Sequence, residues 1–221
     1  MRFDTMPWDN DYDAEAHRAE CQRMYATNKL KGQMANDSGH LMEKQILTAA
    51  EEYLLKGIAK VVKVPEPFRV AKKYRNGKAQ IYFQEHAEPD FIGSIYPSGR
   101  CIVFEAKYTD TTRIRLKAVT ENQQRALDTH TALGAITAVC CGIRGRYYFV
   151  PWKIFRDMKR ILGHHSASQQ ELEPFEVKFT GNAIMFLHYK RPKEHRLAFM
   201  RKYSIADADS EDMNKEKEQT K

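Results

Sequence analysis

The chain has 221 residues, 42% of them hydrophobic, with a formal net charge of +7, enough for one domain with a real core plus appendages. No apolar run approaches the length of a membrane span, and Met1–Asp13 is acidic and lacks the apolar stretch of a secretory signal. The charge is unevenly placed. Residues 1–15 hold five acids against Arg2, and residues 206–221 hold six acids against three lysines, leaving the middle near about +14. A basic middle of that strength suits a polyanion, most often nucleic acid. Cys21, Cys101, Cys140 and Cys141 follow no zinc spacing, so buried free thiols in a reducing, cytoplasmic setting are expected.

In chain order, Asp13–Thr27 is expected to form a thin peripheral helix, and Asn28–Gly39 a linker. Together they make residues 1–38 an N-terminal extension. Asp37 or Ser38 is placed to cap a stronger helix running to Lys56, with Gly57 as its stop. Met42, Ile46, Ala49 and Tyr53 form one stripe of that helix; Leu47, Ala50 and Leu54 form its neighbour. Glu43 heads the second stripe, where it either sits in the exposed first turn, favouring the helix dipole, or finds a partner.

Ile58–Val64 reads as a strand ended by Pro65 and Pro67. Residues 68–83 read as a hairpin around Asn76-Gly77. Its arms carry Arg69, Lys72, Lys73, Arg75 and Lys78, interleaved with Tyr74, Tyr82 and Phe83. Such a projecting basic hairpin is suited to gripping a phosphate backbone.

Phe91–Ile95 and Ile102–Phe104 read as strands joined at Pro97, Ser98 and Gly99. Side chains alternate along a strand, so Glu105 and Lys107 share a face, Ala106 points away, and Asp90 can lie across from them. Two carboxylates and an ammonium at one place suit a hard divalent cation and a charged phosphate. Thr120 opens a helix through Leu133, with Gln123 and Gln124 in its first two turns. Ala135–Ile143 is apolar throughout, as in a strand covered on both faces. Arg146–Val150 is the next strand, Trp152–Leu162 a helix after Pro151, and Phe175–Phe179 and Ile184–Tyr189 late strands. Residues 206–221 read as a disordered charged tail. The order of elements predicts an α/β fold, a mixed central sheet flanked by helices, over residues 39–205.

Pro89-Asp90 followed by Glu105-Ala106-Lys107 resembles the PD-(D/E)xK nuclease superfamily. The ordered set of features resembles RecU-type Holliday junction resolvases over residues 39–180. These are Gly39–Gly57 with Glu43 and Tyr53-Leu54, Gly57-Ile58-Ala59 leading to Pro-x-Pro, the hairpin where the family has its stalk, Asp90, and Phe104–Lys107. A helix-borne glutamine and Tyr147–Val150 with Ile154-Phe155 complete it. The resemblance implies a restriction-endonuclease-like fold and a Mg²⁺-dependent endonuclease (Mn²⁺ the alternative) resolving four-way DNA junctions as a homodimer. It implies that Asp90, Glu105 and the Ala106 carbonyl bind metal and that Glu43 holds a second metal or its water. Lys107 then acts on the attacking water, and Gln123, or Gln124 with the gap placed differently, positions it. Two departures stand out: Ser38 where the family usually has Arg, and Glu88 where it often has Thr. The alternatives are a superfamily nuclease acting on flaps or ends, or a non-catalytic DNA-binding accessory of recombination.

Overall fold

The computed structural model describes Arg23 and residues 37–65, 68–75, 78–83 and 88–205. The expected helix over 13–27 (Arg23 apart), most of the linker, the Asn76-Gly77 turn and the charged tail lie outside the described residues. The chain divides into two compact units, residues 1–38 and 39–221.

The first described helix, α1, covers residues 37–55. Asp37 and Ser38 are already helical, so neither is the cap the sequence led us to expect. The stripe of Met42, Ile46, Ala49 and Tyr53 is buried as its spacing requires, but Leu54 is 55% exposed.

Five strands build the central sheet: β1 (Ala59–Lys63), β4 (Phe91–Ile95), β5 (Arg100–Thr109), β7 (Ile136–Ile143) and β8 (Arg146–Pro151), in that spatial order. β5 and β7 run parallel and every other pairing is antiparallel, so the sheet is mixed, as expected. The parallel pair needs a crossover, and α2 (Glu121–Ala132) supplies it. Thr120 caps α2, as read from the sequence.

Alternation along β5 and β7 divides the core in two. Ile102, Phe104, Ala138 and Cys140 face α1, where Phe104 packs 5.0 Å from both Phe91 and Phe186, centroid to centroid. Val103, Val139, Cys141 and Ile143 face the other way, onto Leu127 of α2, Trp152 and Phe155. Both thiols of β7 are free and buried.

The hairpin β2 (Phe68–Lys73) and β3 (Ala79–Phe83) forms its own two-stranded sheet, with a bulge between Val70 and Lys72. Its described side chains are exposed, including Tyr74 at 45% and Tyr82 at 62%, so this hairpin projects from the core.

Elsewhere the structure departs from the expected elements. The helix expected over 152–162 is two short ones, α3 (Trp152–Arg156) and α4 (Met158–Leu162), broken at Asp157. Asp157 leaves helical geometry there, at φ −90° and ψ 20°, while its carboxylate accepts from Arg156 and Arg160. A short 3-10 turn, Glu173–Phe175, takes the first residue of the expected strand 175–179, leaving β10 (Val177–Phe179) paired with β11 (Ile184–Tyr189). Three further elements were not expected: β6 (Arg113–Arg115) paired with β9 (Ser166–Ser168), and a last helix α5 (Lys193–Lys202).

Candidate active site

Asp90, Glu105, Lys107 and Gln123 meet on the α2 side of the sheet. Asp90 immediately precedes β4, and its carbonyl accepts the Val64 N–H at 2.8 Å. Its carboxylate Oδ2 accepts the Ala106 N–H from the neighbouring strand at 2.9 Å. Two residues apart on β5, Glu105 and Lys107 share a face, as alternation demands. The Lys107 Nζ stands 2.9 Å from Glu105 Oε2 and 4.0 Å from Asp90 Oδ2, so one ammonium serves both acids.

Gln123 completes the arrangement from the start of α2. Its Oε1 accepts the Thr120 N–H at 3.1 Å while the Thr120 hydroxyl accepts the Gln123 N–H, a reciprocal cap. That bond turns its Nε2 toward Glu105 Oε2, to which it donates at 2.7 Å. Gln124 instead donates to the Val119 carbonyl at 2.9 Å, so of the two glutamines Gln123 is the one at the site.

Glu105 has no exposed side-chain surface. Its carboxyl is pushed up from its ordinary value to about 8, first by burial and then by the nearby Asp90 carboxylate, against which Lys107 pulls it down. Its second oxygen, Oε1, is buried without a hydrogen-bond partner. An acid that is buried, half satisfied and next to a second carboxylate fits a hard divalent cation, which binds through oxygen and neutralises both. Among the described residues no group of three or more Asp, Glu, His or Cys is gathered as for a metal. The set is therefore two carboxylates, leaving further positions to carbonyl, water or phosphate oxygens, a habit of Mg²⁺.

Glu43 is placed with Lys63 of β1, whose Nζ lies 2.5 Å from its Oε2, and with His40 at 3.5 Å. Lys63 pairs in register with Phe91, the residue after Asp90, so this ion pair borders the site strand. Sequence reading missed Lys63. The only signal was a lysine ending a strand ahead of Pro65, and no spacing links it to a helix residue twenty positions earlier. Glu88, exposed at 62%, is 3.4 Å from His130 near the far end of α2. In the hairpin, Lys72 sits over the Tyr74 ring at 5.5 Å, and Lys73, Arg75 and Lys78 are exposed; the Arg69 side chain is outside the described part.

The fold and site define an α/β protein with two carboxylates, a lysine and a glutamine assembled across two neighbouring strands and one helix. Residues 37–192 match the family described as Recombination protein U, RecU, and the chain belongs to that family. It is 30% identical over 146 residues to the protein described as Holliday junction resolvase RecU of Bacillus pumilus (strain SAFR-032), covering 62% of this chain and 70% of the relative. The solved structures it is similar to include Hjc of Archaeoglobus fulgidus, a Holliday junction resolvase. That similarity has 16% identity and a TM-score of 0.30, over 47% of this chain and 73% of the other.

Proposed function

We propose that this protein is a divalent-metal-dependent endonuclease that resolves four-way DNA junctions in recombination and repair. Membership of the RecU family and the resolvase relative support the substrate. The observation that carries the chemistry is the buried Glu105, held by Lys107 and Gln123 beside Asp90 with one oxygen unpartnered. Asp90 and Glu105 would hold the cation, Mg²⁺ with Mn²⁺ as the alternative, and the Ala106 carbonyl would add a third protein ligand. A bound cation of this kind lowers the pKa of water and stabilises charge on the leaving oxygen.

The chain's own groups do the rest. Lys107 orients the attacking water and offsets charge on the phosphoryl oxygens in the transition state. Gln123 fixes the Glu105 carboxylate through Oε2, which leaves Oε1 without a hydrogen-bond partner. Glu43 would hold a second metal or a metal-bound water from the neighbouring helix, α1. The hairpin cations Arg69, Lys72, Lys73, Arg75 and Lys78 hold the backbone near the branch point. Symmetric cutting of two strands needs two sites, so a homodimer is the working form. No helix among the described residues is long and apolar enough to cross a membrane. A junction substrate implies action inside the cell.

Replacing Asp90, Glu105 or Lys107 by Ala tests this. Junction cleavage should fall by orders of magnitude while binding of the same junction survives. Parallel assays on flap and linear duplex separate resolution from a less selective nuclease. Full cleavage by all three variants removes the mechanism.

A further inference from the structure

The chain from Lys107 to Gln123, two residues that both touch Glu105, runs out of β5 after Thr109 and enters α2 at Glu121. It is a braced segment. The Thr111 hydroxyl donates to the Arg113 carbonyl at 2.8 Å, and Arg144 Nε donates to the Asp110 carbonyl at 3.0 Å. β6 is paired to β9 along its whole length, and the Leu116 N–H extends that pairing to the His165 carbonyl at 3.0 Å. Ile114 and Val119 anchor the segment in the second core. With Ile114 turned inward, alternation sends Arg113 and Arg115 outward.

These two arginines differ in employment. Arg113 is used up inside the fold, with its guanidinium on Glu171 at 2.8 Å and on the Ser166 hydroxyl at 2.9 Å. Arg115 and Lys117 are exposed, and no hydrogen bond or ion pair engages either head group among the described residues. Two uncompensated cations thus sit on a braced frame whose two ends are at the carboxylate site. Two residues of chain span at most about 7 Å, so both side chains can serve one stretch of a single strand. A phosphodiester approaching Asp90 and Glu105 meets like charge, and cations on the connection that joins Lys107 to Gln123 offset that repulsion.

We propose that Arg115 and Lys117, carried on β6 and the turn after it, form a second phosphate-contact surface that holds the DNA strand being cut. It is distinct from the β2–β3 hairpin, and it rests on the nuclease reading above. It would grip the backbone of an arm without regard to sequence, whereas the hairpin engages the branch point.

The test is a double variant, R115A/K117A, in the full chain, titrated with a labelled four-way junction over a salt series in chelator. Each neutralised phosphate contributes about 0.9 to the slope of log affinity against log salt, so the slope should shrink by about 1.8. The charge-preserving R115K/K117R should keep it. If the double variant does not fold, single Arg115→Gln and Lys117→Gln variants should each lose about 0.9. An unchanged slope in folded variants overturns the proposal while leaving the nuclease reading intact. A wild-type chain with no salt-dependent junction binding overturns that reading as well.

Discussion

Glu105 is the residue on which the site's chemistry turns. Its carboxyl is raised to about 8, chiefly by burial, so the folded chain keeps a proton that the unfolded chain gives up near the ordinary carboxylic value. This group's contribution to stability is therefore fully present below the unfolded value and is lost as pH rises through about 8. In chelator, the urea midpoint of the wild type should fall relative to Glu105→Gln between about pH 5 and 8. Parallel curves for the two proteins would show that burial does not perturb this acid. Cation binding competes with the same proton, so apparent affinity should climb across that range, by up to about tenfold per pH unit. Asp90, Glu105 and Lys107 were legible in the sequence because period-two alternation alone brings Glu105 and Lys107 to one face. Lys63 was not, because the contact between a helix acid and a strand lysine is made only by the packing of α1 on the sheet.

At the scale of elements, the long strands and α2 could be read because hydrophobic pattern, turn residues and caps agree there. The three-residue strands β6 and β9 carry too few positions to show a period, and α5 buries none of its residues fully. Gly93 illustrates a constraint that pattern cannot reveal. A Cβ there would fall 2.1 Å from the Lys60 carbonyl oxygen and 2.8 Å from the Val61 Cα, both backbone atoms of β1. Gly93→Ala should therefore push β1 off β4 and destabilise the fold by about 1–3 kcal/mol or more, as overpacking does, readable as a lowered thermal midpoint. A wild-type midpoint in that variant would mean the two strands part easily. The cap of α2 has a second duty of the same hidden kind. Because the Gln123 carbonyl is committed to the Thr120 N–H, only its amide NH₂ can face Glu105. The Thr-x-x-Gln spacing carries the capping bond, but nothing in the sequence carries the bond to Glu105.

On the scale of the whole molecule, under the proposed function, binding falls to the charged hairpin and cutting to the carboxylates. Replacing Lys72, Lys73 and Arg75 by Ala should weaken junction binding and reduce the salt slope by about 0.9 for each phosphate no longer neutralised. Cleavage at saturating protein should persist. Equal affinity and slope in wild type and variant would leave the hairpin without a role on DNA. In sequence the hairpin lies between β1 and Asp90, and the Val64 N–H just after β1 bonds to the Asp90 carbonyl. Asp90 is thereby tied through its own main chain to the residue that follows β1, so any displacement of Val64 has a single hydrogen bond to cross before it is felt at Asp90.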